Sequence, residues 1–140
     1  MFKQVSIFLE NKKGRLKDVL KLLADYNIDI RALTIAETAD YGVLRLIVDD
    51  ADKAVEILKE NNFRVNITDV LGVEIQDVSG SMYGFVNMLY QHNINVEYAH
   101  TCTPLNAGKS AFIVRVDEDK INEAEEIIKS CKDIKIIGEQ

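Results

Sequence analysis

Hydrophobic residues alternate with polar ones at Val5, Ile7 and Leu9, the pattern of a strand with one buried face. Leu16, Val19, Leu20, Leu22 and Leu23 then recur at helical spacing on one face. Residues 28–37 read as a second strand, and Asp40-Tyr41-Gly42 as a turn. Alternation returns at Leu44, Leu46 and Val48. Residues 51–62 form a second amphipathic pattern with Ala54, Ile57 and Leu58 inward, and residues 63–68 close a βαββαβ series.

The remaining sequence repeats this series. Leu71, Val73 and Ile75 match Val5, Ile7 and Leu9 at an offset of 66, and at that offset Gly14 meets Gly80 and Asn27-Ile28 meets Asn93-Ile94. Leu16, Val19 and Leu20 become Met82, Phe85 and Val86, so the helix keeps its core face. The offset grows to 68 where Leu44, Leu46 and Val48 meet Phe112, Val114 and Val116, and to 70 where Ala54, Ile57 and Leu58 meet Ala124, Ile127 and Ile128. Drift confined to loops marks a duplication, because loops tolerate insertion. The reading is an α+β chain of two tandem ferredoxin-like βαββαβ repeats, residues 1–69 and 70–140. Each has an antiparallel sheet with its helices on one face. The stretch ITDVLGVEI carries strand character through the join, which leaves no room for a flexible linker.

The 140 residues are 47% hydrophobic, enough for a core, and their formal charge is −6. An acidic chain of sequence pI about 4.9 lacks the positive surface that a sequence-independent grip on nucleic acid or anionic lipid requires. No run approaches the roughly 20 apolar residues of a membrane span, and the first residues carry charges where a signal peptide needs an apolar core. Cys102 and Cys131 have no metal-binding or redox spacing. The expectation is a cytoplasmic protein without cofactor or metal.

Residues also separate the users of this fold. RNA-recognition domains need stacking aromatics on the central strands, whereas the third strands here read VLRLIV and SAFIVRV. Metallochaperones need two thiols in the first loop, and neither ENKKGRL nor DVSGSM has one. A nucleotide-sensing protein of the PII type needs a long loop after the second strand, for which neither half has room. In the first repeat Asn11-Lys12-Lys13-Gly14-Arg15-Leu16 is followed by Ile28-Asp29-Ile30; in the second, Asp77-Val78-Ser79-Gly80-Ser81-Met82 is followed by Ile94-Asn95-Val96. This pattern resembles the ACT domain, the small-molecule sensor of amino-acid metabolism, across essentially the whole chain. Lys13 and Ser79 stand where family members often have proline. The resemblance implies a stand-alone tandem regulatory protein that binds an amino acid or related small metabolite, associates as a homodimer, and controls a metabolic enzyme or regulator.

The bend has a physical rationale as a receptor. Glycine adopts positive φ without a Cβ penalty, and the first helical N–H groups beyond it have no internal partner. A carboxylate there satisfies them and meets the positive end of the helix dipole. The ammonium of an amino acid needs an acceptor. Each repeat supplies one Asp and one Asn at matched positions: Asn11 in the bend with Asp29 on the strand, then Asp77 in the bend with Asn95 on the strand. The expected ligand-binding set is Asn11, Gly14, Arg15, Leu16, Asp29, Asp77, Gly80, Ser81, Met82 and Asn95. Ordinary turn and capping chemistry competes with this reading, with Asp77 or Ser81 as the cap. His100 and Cys102 share a strand face, with His92 on the preceding helix, and wall positions explain them more simply than a metal. Gly84 reads as a contact for close helix packing.

No nucleophile–base arrangement, phosphate-binding loop or metal cluster is legible, which favours a non-catalytic sensor. A structural partner subunit with degenerate ligand sites, or a small ferredoxin-like enzyme, are the alternatives. For assembly, the helix-free face of the first repeat is expected to expose Phe8, Leu33, Ile35, Val43 and Ile47, interrupted by Arg31 and Arg45. A patch of that kind marks a contact surface, expected to be buried against the partner chain of a homodimer or against the other repeat. The second repeat's equivalent face reads as more polar, with Glu74, Gln76, Glu97, Thr101 and Arg115.

Overall fold

A computed structural model describes residues 1–37 and 39–138. The chain forms two units, Lys3–Thr68 and Asp69–Gln140, the latter joined by Met1–Phe2. In chain order the elements are β1 (Phe2–Glu10), α1 (Arg15–Asp25), β2 (Ile30–Glu37), β3 (Tyr41–Val48), α2 (Ala51–Glu60), β4 (Arg64–Gln76), α3 (Ser81–Gln91), β5 (Val96–Cys102), β6 (Lys109–Val116), α4 (Ile121–Lys129) and β7 (Lys135–Ile137). Each unit has the βαββαβ order with an antiparallel sheet. No helix among the described residues is long and apolar enough to cross a membrane.

In the N-terminal unit, β3 pairs antiparallel with β1 on one side and β2 on the other. β1 and β2 are therefore parallel and end at the same edge of the unit. Val5, Ile7, Leu9, Leu44, Leu46 and Val48 line the face that meets Val19 and Leu23 of α1 and Ala54, Ile57 and Leu58 of α2. This is the core the alternation predicts. In the C-terminal unit β4 pairs with β6 and β7, and β6 with β5, all antiparallel. Leu71, Val73, Val114 and Val116 pack there against Phe85, Leu89, Ala124 and Ile128.

Helices α1, α2 and α3 end in the same way. Asn27, Asn62 and Asn93 adopt left-handed φ of 56, 67 and 60°. The next residue then donates its N–H back into the helix: Ile28 to Leu23, Phe63 to Leu58 and Ile94 to Leu89, at 3.0, 3.0 and 2.9 Å. This is the Schellman stop, in which a short amide side chain tolerates the left-handed position and the following apolar residue seals the last turn. The repeated Asn-Ile dipeptide is therefore helix-stop chemistry. It also moves the start of β2 from the expected Ile28 to Ile30, and ends α2 at Glu60 rather than Asn62.

Two further expectations are corrected. Tyr41 and Gly42 belong to β3, opposite Glu10 and Leu9, so the turn lies before them. Gly42 is a buried strand residue without positive φ, and its turn-like composition misleads because the glycine serves space rather than chain reversal. The second correction concerns faces. The β2–β3 register shifts between Ile30 and Ala32, and beyond it Leu33 lies opposite Leu46 and Ile35 opposite Leu44. Directly opposed residues share a face, and one inserted residue flips every later side chain. Leu33 and Ile35 thus stand on the helix side, each 43% exposed. A matching shift between Val96 and Tyr98 puts Thr101 opposite core-facing Phe112, and Tyr98, His100 and Cys102 opposite Arg115, Ile113 and Ala111. On the helix-free face of the N-terminal unit Gln4, Ser6, Ala32 and Ile47 are buried while Phe8 is 42% exposed, so the expected patch is only partly open.

Candidate functional site

Gly14 precedes α1 with φ 91° and ψ −12°, and Gly80 precedes α3 with φ 88° and ψ −8°. The residue at each cap position is thus a glycine, with no side chain to cap its helix. Helix α2 differs: Asp50 accepts from the Lys53 N–H at 3.1 Å, the usual N-cap. At the second bend neither Asp77 nor Ser81 serves as a cap, Asp77 accepting instead from Ser110 Oγ. A Cβ built on either glycine would meet nothing within 4 Å, so the backbone conformation, not crowding, requires glycine there.

Beside the first bend lies a cleft of about 170 Å³, lined by Leu9, Glu10, Asn11, Lys12, Arg15, Leu16, Ile35, Glu37 and Gly42. The parallel ends of β1 and β2 create it, with Gly42 between them contributing no side chain. Asn11 is fastened by its N–H to Asp40 O at 2.9 Å and by Nδ2 to Ala39 O at 3.3 Å. Lys12 pairs with Glu10 at 3.1 Å, and this hydrogen bond, reinforced by the lysine charge, holds the Glu10 carboxyl below its ordinary range. The Arg15 guanidinium stacks over the Phe63 ring at 5.0 Å and approaches Asp18 at 3.8 Å, beyond hydrogen-bond reach. Its Nε is buried without a protein acceptor. A buried unmet donor costs ~1–3 kcal/mol, and because Nε is itself out of reach, what Arg15 offers the cleft is the rest of its side chain, 29% exposed.

The second bend carries a different cleft. About 410 Å³ are lined by Ile75, Gln76, Val78, Ser81, Gly84, Phe85, Asp133 and Ile134. It opens toward the α4–β7 connection rather than the strand equivalent to β2. Val78 and Ser81 occupy the positions of Lys12 and Arg15. Asp77 accepts a hydrogen bond from Ser110 Oγ at 3.0 Å, and Met82 packs against the core. Gly84, expected to admit a neighbouring helix, would meet nothing within 4 Å if it carried a Cβ.

Asp29 and Asn95 lie elsewhere. Ile30 pairs with Val48, whereas Glu10 pairs with Tyr41, so the length of β3 separates Asp29 from the bend. At about 3.4 Å per residue that is roughly 24 Å, too far for one amino acid to touch both. Asp29 instead exchanges bonds with Asp49: its N–H reaches Asp49 Oδ1 at 3.0 Å, and its carbonyl accepts the Asp49 N–H at 3.1 Å. Asn95 lines a third cleft, about 500 Å³, with Tyr90, Asn93, Asp117, Asp119 and Lys120. The Asp/Asn pair read in each repeat is therefore split between opposite ends of its sheet. Glu37, Ile35 and Gly42 are lining residues that sequence reasoning missed. The parallel course of β1 and β2, inherent in the βαβ order, is the signal that would have found them.

The chain matches a family model described as the ACT domain pair over residues 1–140. Among solved structures, protein BT0572 from Bacteroides thetaiotaomicron is 40% identical, with 96% of this chain and 92% of that chain covered and a TM-score of 0.87. The ligand-free regulatory subunit of aspartate kinase from Thermus thermophilus shares the fold at 12% identity, with 93% and 91% covered and a TM-score of 0.66. The corresponding subunit from Thermus flavus does so at 14% identity, with 91% of each chain covered and a TM-score of 0.60. No curated protein matches the sequence. The paired units, the two glycine bends and the full-length match agree: the chain belongs to the ACT domain pair family.

Proposed function

We propose that the protein is a non-catalytic cytoplasmic sensor that binds an amino acid or related small metabolite at the bend of at least one repeat and thereby regulates a metabolic enzyme or regulator. One observation carries this reading. Arg15, its guanidinium stacked on Phe63 and its side chain 29% exposed, lines a cleft at the start of a helix whose cap residue is a glycine. A carboxylate placed there gains the guanidinium, the helical N–H groups beyond that of Arg15 (which donates to Lys12 O at 3.3 Å) and the dipole together. Glu37, also on the lining, offers a carboxylate for an ammonium. The fold shared with two regulatory subunits of aspartate kinase supports a regulatory role. Acidic charge supports neither nucleic acid nor an anionic membrane as partner.

A homodimer belongs to the same reading, with its contact moved from the helix-free face to β2. That strand ends the sheet order, and its exposed Leu33 and Ile35 lie on the cleft side. Asp29 and Asn95, remote from the bends of their own units, would then reach a ligand only from a second chain. Thermal-shift measurement against the twenty common amino acids tests the proposal. A concentration-dependent rise in Tm without conversion of the ligand supports it; no stabilisation by any of them overturns it.

A further inference from the structure

We infer that the two bends are not equivalent, and that the first takes a single amino acid with an uncharged aliphatic side chain, one per chain. This inference rests on the sensor reading and narrows it. Size is the first constraint. At about 170 Å³ the first cleft lies below the ~300–1,000 Å³ of sites for drug-sized ligands, which leaves room for one small metabolite and excludes a nucleotide.

Charge is the second constraint. Four charged residues line the cleft, and Glu10 and Lys12 neutralise each other at 3.1 Å. One cation and one anion remain on the lining: Arg15, whose guanidinium also lies 3.8 Å from Asp18 outside the lining, and Glu37, which no ion pair with a described residue engages. They match the carboxylate and ammonium of a zwitterion and leave no further charge for a charged side chain. A lysine-like ligand would set its second ammonium against apolar wall, and an aspartate-like one its second carboxylate, both at the cost of uncompensated desolvation.

The wall is the third constraint. Apart from its charged and amide residues, the cleft is lined by Leu9, Leu16, Ile35 and the space above Gly42. Ile35 stands there because the β2 register shift turns it to the helix side, and because it does so only partly covered it offers apolar surface for a ligand to bury. A Cβ on Gly42 would touch Ile35 Cγ2 at 3.5 Å and Ala36 O at 3.4 Å, so any side chain larger than alanine would compete for the same volume. The second bend lacks these features. Val78 and Ser81 replace Lys12 and Arg15, no cation lines its cleft, and its one carboxylate is Asp133. An amino-acid carboxylate has no guanidinium to meet there.

Isothermal titration of the full chain with valine, leucine and isoleucine, against lysine, aspartate and phenylalanine, tests this. The expected result is one aliphatic amino acid per chain, preferred at least tenfold over the charged and aromatic ones. Gly42→Val should abolish that binding while near-native Tm shows an intact fold. Ile35→Asp should shift preference at least tenfold toward lysine, with sedimentation run alongside because Ile35 also lies on the proposed β2 contact. Because the wild-type selectivity is itself diagnostic, misfolding of a variant would not rescue the idea. Preference for a charged or aromatic amino acid in a site sensitive to Gly42→Val would overturn the specificity and leave the sensor reading standing. Two ligands per chain would overturn the asymmetry. Binding of no amino acid would overturn both.

Discussion

Glu74 offers the sharpest test of the structure itself. It lies in β4 with its side chain almost wholly buried, 3% exposed, and its carboxylate holds the loop of residues 103–108. Oε2 accepts the backbone N–H of Leu105 at 2.8 Å and of Asn106 at 3.2 Å, and Oε1 accepts Asn106 Nδ2 at 2.7 Å. The Asn106 side chain, the two backbone N–H groups and the charge of Lys135 together outweigh burial and hold the carboxyl below its ordinary range. Glu74→Gln keeps the shape but removes the charge and sets an amide NH₂ against donors. Bonds to a charged acceptor contribute ~1.5–3 kcal/mol against ~0.5–1.5 for neutral ones, so three weakened or inverted bonds should cost about 2–4 kcal/mol at pH 7. For a chain of this size each kcal/mol is roughly 2–4 °C in Tm, and urea denaturation would give the free energy directly. The pH dependence carries a sign. A carboxyl whose folded pKa is depressed stabilises the fold above its unfolded pKa and loses that contribution as pH falls through the folded value. The gap between wild type and Glu74→Gln should therefore be full at pH 6–7 and close progressively below the ordinary carboxylate range, about 4.5. A difference under about 0.5 kcal/mol at pH 7, or one unchanged at pH 3, would refute the assignment of Glu74 as an ionised latch.

Other outcomes follow from single features. Gly14→Val and Gly80→Val should each cost ~1–2 kcal/mol from left-handed strain, read by urea titration, with any ligand binding at the altered bend abolished in calorimetry. Asn27→Ala and Asn93→Ala should cost about 1 kcal/mol each, whereas Asn27→Gly should be near neutral, because only glycine and asparagine sit comfortably at the left-handed stop; Tm separates the two classes. Ile47→Asp, at a position 2% exposed, should leave the chain insoluble or unfolded on size exclusion, since it places a charge in a buried face.

Local pattern carried the architecture far. Alternation and helical spacing located most of the core residues of the N-terminal unit, though not the buried Ala32 and Ile47, because the faces of Val5, Ile7 and Leu9 and of Ala54, Ile57 and Leu58 are fixed by backbone periods of 2 and 3.6. The internal repeat identified the topology and both glycine bends, whose left-handed φ only glycine adopts at little cost. Asn11, Arg15 and Leu16 were legible as neighbours for the same reason: they are close along the chain, and the cleft contains all three.

What failed were inferences across distance. The register shifts in β2 and β5 each insert one residue, an event that leaves no mark on composition yet sends Ile35 and Thr101 to the opposite face. The pairing of Asn11 with Asp29 failed because sequence spacing says nothing of which end of a sheet a strand begins on. By itself, then, the sequence determined the elements, their order, the inward faces outside the two register shifts and the two glycine helix starts, since each depends on local backbone preference and on burying apolar area. Only the tertiary structure decided that Glu37, Ile35 and Gly42 join Arg15 at one edge, and that the two bends face different surroundings. Those depend on strand register and pairing, long-range choices that a single residue's displacement can reverse.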